Sequence, residues 1–213
     1  MTRTRSWTAS LQDSVFALGA AARETQRAYQ AAVIAADHVD LDRLRLLDGR
    51  VLRRDAGSTG HEPHLGALSR INDLQLNHMF RLKDLYTEAA RAYAHGTTWA
   101  VRQVQAGQRP EHVVLAVGDD GHYLFPATVA PLQLDRYAGA AAVGAARARY
   151  ERCLDAGDTA EEIDAQAYVP DHEAGQLHQA LDIAAGLPDA AYAYGVAAEG
   201  ALHYAINTRP ADE

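Results

Sequence analysis

Two pairs of residues near the C-terminus carry the side chains best suited to chemistry. His178 and Asp182 are four residues apart, as are Glu199 and His203, so each pair shares a face of any helix that contains it. If those two helices are joined by a turn centred near Leu187, position 178 falls opposite about 196, within one helical turn of Glu199. Two imidazoles and two carboxylates would then converge, which is a ligand set for zinc or non-haem iron in a helical bundle. The same spacing is frequent on solvated helix faces, where it makes ordinary surface pairs. The Glu with His three residues on that bundle metal sites use is absent from this stretch.

Other reactive residues are more isolated. His61 and His64 flank Glu62 and Pro63, and a loop could fold them around a metal, but no third ligand lies nearby. His78, His95, His112 and His122 stand alone and read as half-buried or surface histidines. Cys153 is the only cysteine, one residue from Arg152 and four from Arg149, a setting that favours thiolate. A nucleophile also needs a base, and none is evident, so an inward-packed thiol is the simpler reading. There is no Gly-x-Ser-x-Gly elbow. Residues 57–60 lack a following lysine, and residues 118–121 would present two carboxylates to a phosphate. Tyr192, Tyr194 and Tyr204 cluster with Gly195 and Gly200, a combination that suits a ligand pocket, an oligomer interface or a packed core.

Charge separates along the chain. The net charge of −8 divides into −1 for residues 1–42, +5 for residues 43–109 and −12 for residues 110–213. A basic middle beside an acidic end implies mutual attraction, within one chain or between two. The arginines between positions 43 and 54 suggest a DNA-associated regulator, but the acidic majority repels phosphate and weighs against nucleic acid. A lone cysteine rules out an intramolecular disulfide and a Cys-based zinc cluster. No apolar run is long enough to span a bilayer, and the N-terminal segment is a poor signal peptide. A cytoplasmic protein is the expectation. With 48% hydrophobic and 23% charged residues in 213, the composition is that of a globular chain that can bury a core.

The elements that must position these residues are mostly helical. Residues 65–107 contain no proline, and Met79, Leu82, Tyr86, Ala89, Tyr93, Ala100 and Val104 step by threes and fours, with Thr97 filling the gap. Arg81, Lys83, Asp84, Glu88, Arg91 and Arg102 occupy the other side, as a solvated face would. His95, Gly96, Thr97 and Thr98 are its weak point, because glycine and β-branched residues lower helix propensity. Residues 7–36 form a second long helix, with Ser6 as its cap and Leu11, Val15, Leu18, Ala22, Thr25, Tyr29, Ala32 and Ala36 on its seam.

Residues 39–60 are ambiguous: Leu41, Leu44, Leu47 and Val51 fit a helical face, whereas Asp48 and Gly49 fit the turn of a hairpin running from Leu44 to Arg53. The hairpin is preferred, with a loop over residues 57–63. Beyond Pro110, residues 113–117 and 122–125 read as a second hairpin about a Gly-Asp-Asp-Gly turn. A helical pattern resumes at Leu132 and stops at Gly157. Asp158 and Glu161 open a short helix ending near Pro170, Asp171 caps another through Ala185, and the last runs from Asp189 to Ile206.

These features predict a single mainly α domain over residues 1–213: a helical bundle built on two long helices, with one or two β-hairpins and a C-terminal helical hairpin. Long seams and opposed charges suggest a non-enzymatic interaction or assembly protein whose partner is another protein or a second copy. The alternatives are a metal-dependent α-bundle enzyme using His178, Asp182, Glu199 and His203, and the DNA-associated regulator. No cofactor is implied other than zinc or iron at those four residues.

Overall fold

Two apolar stripes at helical spacing dominate the first half of the chain, and each forms one uninterrupted helix. The computed structural model describes residues 11–53, 62–110, 113, 131–166 and 170–208, with residues 38–53, 62–72 and 171–172 described by their backbone alone. Five helices account for nearly all of them: α1 (Leu11–Arg53), α2 (Glu62–Gln105), α3 (Ala140–Asp164), α4 (Asp171–Ala184) and α5 (Leu187–Asn207). The protein is a helical bundle with no strand among the described residues.

The hairpin expected from Leu44 to Arg53 does not form, because α1 continues through it to Arg53. Leu41, Leu44, Leu47 and Val51 keep the helical period across the Asp48-Gly49 pair, and one glycine in a helix costs only about 1 kcal/mol against alanine. The loop expected over residues 57–63 gives way at its end to α2, which begins at Glu62 with Pro63 in its first turn, where the missing N–H has no intrahelical partner to lose. The second hairpin lies outside the described residues except for Val113, which is buried and in no strand.

Four further boundaries differ from expectation. α3 starts at Ala140 rather than Leu132, after turns in which Tyr137 N–H donates to Leu134 O and Ala140 N–H to Tyr137 O, each at 3.0 Å. It then runs past Gly157 to Asp164, so Asp158 and Glu161 open no new helix. Tyr150, Cys153, Ala156, Ala160 and Ile163 are all buried at steps of three and four, and that continuous stripe outweighs the glycine. Thr159 Oγ1 adds a back-bond to Asp155 O at 2.8 Å. The N-cap of α4 is Pro170, with Asp171 already inside the helix. The turn before α5 is Ala185–Gly186, leaving Pro188 in the first turn.

The chain divides into two compact units, one of residues Met1–Ala22 with Thr87–Glu213 and one of residues Arg23–Tyr86. In the larger unit, α3 packs on α4 and α5. Its core takes Leu11, Val15, Leu18 and Ala22 from α1, Val101 and Val104 from α2, Val143 and Ile163 from α3, and Ala198 and Leu202 from α5. Alanine and glycine leave room between these helices for three whole tyrosines, Tyr93, Tyr150 and Tyr194, all fully buried. A Cβ at Gly195 would come within 2.9 Å of Tyr93 ring atoms, and one at Gly19 within 3.1 Å of the same ring. Each ring thus occupies space that a missing side chain leaves open.

The smaller unit consists of the remainder of α1 and the first part of α2. Gln26 Nε2 donates to the Tyr86 hydroxyl at 2.9 Å, and the Tyr29 and Tyr86 rings lie 6.3 Å apart. The two long helices therefore do pack together here, as their seams imply. The end of α2 closes with Gly107 at φ 89°, its N–H on Val104 O and the Gln108 N–H on Gln103 O. That paired arrangement satisfies the last carbonyls and needs a residue tolerant of positive φ.

Candidate functional site

The four C-terminal residues expected to meet form two separate pairs. His178 Nε2 lies 3.6 Å from Asp182 Oδ2 on α4, and His203 Nε2 lies 3.7 Å from Glu199 Oε1 on α5. The first pair is largely exposed on both sides. Among the described residues no group of three or more His, Cys, Asp or Glu is placed to hold a metal ion. The second pair is instead tied to the core: the Tyr93 hydroxyl donates to Glu199 Oε2, and Gln12 Nε2 lies 3.5 Å from His203 Nδ1. Glu199 is thus shared between a buried tyrosine and a half-exposed histidine.

Cys153 packs inward, and its thiol is pushed up by burial, which outweighs the opposing charges of Arg149 and Arg152. A raised thiol is a poor nucleophile near neutral pH. His61, His112, His122 and the side chains of His64 and of the arginines at 43–53 lie outside the described residues. His78 is exposed.

A polar ladder inside the larger unit gathers residues whose connection is not evident along the chain. Arg91, His95, Thr98 and Arg102 step by four, three and four, so they share one face of α2. His95 Nε2 and the Tyr150 hydroxyl are 2.9 Å apart, their rings edge to face, and the Arg91 guanidinium also reaches that hydroxyl. Tyr150 stacks on Tyr194 with centroids 6.0 Å apart. Thr98 and Arg102 then flank Tyr194, which also feels Arg147 and Glu151 of α3.

Burial dominates the electrostatics of this ladder. It lowers the His95 pKa to about 4, helped by the Arg91 charge, so the imidazole is neutral at physiological pH. It raises both tyrosines against the opposing influence of Arg91 on Tyr150 and of Thr98, Arg147 and Arg102 on Tyr194. Thr98 donates its own hydroxyl to Ala94 O at 2.7 Å. It stands beside the Tyr194 hydroxyl, but that pair falls short of hydrogen-bond geometry, and the Tyr194 oxygen is left without a partner. Arg102 Nη2 and Thr97 Oγ1 are likewise buried and unpaired. Such groups are rare in folded proteins and each calls for a cause.

The Tyr194 end of the ladder adjoins a pocket of about 360 Å³. Ala140, Val143, Gly144 and Arg147 form one wall, and they are the i, i+3, i+4 and i+7 positions of α3. Residues Pro131, Leu132, Leu134 and Tyr137 of the preceding turns form the other. Gln105 Nε2 fastens this segment to the end of α2 through Gln133 O at 2.6 Å. Arg147 is held by Glu151 at 2.6 Å within the same helix, whereas Arg102 has no such carboxylate partner among the described residues.

The expectation of a solvated face on α2 holds at Arg91, which is exposed although its guanidinium reaches the Tyr150 hydroxyl, and fails at Arg102, which is half-buried beside Tyr194. The signal available in the chain was the four-three-four step of polar residues beside the small residues Gly96 and Ala100, a register that belongs to a packed face. Of the tyrosines singled out in α5, Tyr194 reaches the pocket, Tyr192 packs near Tyr93 at 5.9 Å, and Tyr204 pairs with Tyr137 at 5.2 Å. Among the described residues no helix is long and apolar enough to cross a membrane. Compared with known proteins, the chain matches no family model, no curated protein and no solved structure.

Proposed function

We propose that the protein is a non-enzymatic assembly protein that pairs with a second copy of itself through the two-helix unit Arg23–Tyr86. The observation that carries this reading is the exposure of Ile34, Leu74, Phe80 and Leu85, each more than half open to solvent within that unit. Two helices alone can shield only the faces they turn to each other, and the outward apolar side chains remain in water until another surface covers them. Leu74 and Leu85 are eleven residues apart, about three turns, and so project from nearly the same side of α2.

Charge does not oppose a like partner: residues 23–86 carry ten basic and nine acidic side chains, so two copies meeting through this unit do so with little net charge. A symmetric pair makes the apolar contact twice. Sedimentation velocity across micromolar to nanomolar concentrations tests the proposal. The expected result is a dimer that dissociates on dilution, with Leu74→Glu and Leu85→Glu shifting dissociation to at least tenfold higher concentration. A monomer at every concentration overturns it.

A further inference from the structure

We propose that the pocket between the 131–137 segment and the first turns of α3 binds a small organic monoamine, with its ammonium at Asp135 and its apolar body against the aliphatic wall. The cavity of about 360 Å³ falls in the range of small-molecule sites. Leu132, Leu134 and Val143 give it apolar surface, and two charged side chains line it, Asp135 and Arg147. Those two are not equivalent. The Arg147 guanidinium is held by Glu151, its Nε at 2.8 Å and its Nη2 at 2.6 Å from the same carboxylate oxygen, so its charge is already answered within α3. Asp135 makes no hydrogen bond or ion pair among the described residues, and the adjacent Arg136 is not part of the wall. The charge left to a ligand is therefore a single carboxylate.

A carboxylate accepts hydrogen bonds and an ammonium only donates them, so the two match in charge and in bonding. Asp135 is exposed and so stands where the pocket opens. An ammonium held there keeps part of its hydration while the carbon groups enter the cavity, which keeps the desolvation cost small. The Tyr137 ring in the same wall adds an attraction for a cation that a neutral ligand does not receive. At longer range, the net charge of −12 over residues 110–213 draws cations toward this half of the chain. Asp135 is the only acid among the lining residues, so a second ammonium would find no counter-charge, and a monoamine is favoured over a diamine.

The test is an NMR titration of the full chain at neutral pH with benzylamine, with benzyl alcohol as its uncharged counterpart and with benzoate as its charge opposite. Benzylamine is expected to bind at one site, shifting amide signals of residues 132–147, about fivefold more tightly than benzyl alcohol, the scale of one partly exposed ion pair. Asp135→Asn should weaken benzylamine by the same factor and leave benzyl alcohol unchanged, so that the two bind alike. Asp158→Asn removes an equal charge from an exposed position farther along α3 and should leave the preference unaltered. Gly144 lines the pocket, and a Cβ there would meet nothing within 4 Å. Gly144→Leu therefore fills the cavity without displacing its neighbours, improves helix propensity, and should weaken both ligands at least tenfold. Equal affinity for benzylamine and benzyl alcohol, tighter binding of benzoate, a preference for the amine that persists in Asp135→Asn, binding that survives Gly144→Leu, or no saturable binding by the wild-type chain overturns the proposal.

Discussion

His95 sits 2.9 Å from the Tyr150 hydroxyl with the Arg91 charge close by, and its pKa is lowered to about 4. The unfolded chain, with an ordinary histidine near 6.5, takes up a proton first as pH falls. Stability contributed by the neutral imidazole is therefore intact above about pH 6.5, is lost between there and pH 4, and changes no further below. Over that window the loss amounts to about 3 kcal/mol. Denaturant midpoints measured from pH 7.5 to 4 should fall along this limb, and His95→Gln should flatten it relative to wild type while retaining a partner for Tyr150. At the same scale, sequence spacing alone marked His95 as an isolated residue. Its role depends on Tyr150, 55 positions away, and no local pattern carries that information.

At the scale of elements, helical period was a sound guide and turn chemistry was not. The stripes of α1, α2 and α3 were legible because apolar steps of three and four survive any neighbour that packs on them. Gly49 and Gly157 read as turn or stop signals, yet both sit inside long helices, since a glycine's cost of about 1 kcal/mol is small against a continuous buried face. The glycines of this protein divide by what a methyl group would meet. A Cβ at Gly157 would find nothing within 4 Å, whereas one at Gly195 would press onto the Tyr93 ring. Gly157→Ala should raise unfolding free energy by about 0.5–1 kcal/mol through helix propensity. Gly195→Ala should lower it by about 1 kcal/mol or more, overpacking outweighing the same propensity gain. Chemical denaturation of the two variants side by side reads both signs.

At the scale of the whole molecule, the two units differ in how much of themselves they bury. The larger has tyrosines, alanines and valines with almost no exposure on α2, α3 and α5, whereas in the smaller the only buried apolar residues among those described are Ala36 and Tyr86. Amide exchange should accordingly be slow in residues 93–104 and 143–163 at any protein concentration. In residues 23–37 and 73–85 the proposed pairing with a second copy would slow it as concentration rises. Exchange in those segments that is independent of concentration would speak against pairing through this unit.

The amino-acid sequence by itself determined the helical class, the seams of the long helices, the C-terminal pair of helices and the separation of charge, because each rests on residue types at local spacing. Only the tertiary structure decided that His178, Asp182, Glu199 and His203 form no group placed to hold a metal, that Arg102 is half-buried beside Tyr194, and that a pocket opens next to that tyrosine. Those outcomes depend on which helix faces meet. The meeting is chosen by the fit of tyrosine rings into gaps left by glycine and alanine on distant helices, a matching of shapes that spacing along one chain does not contain.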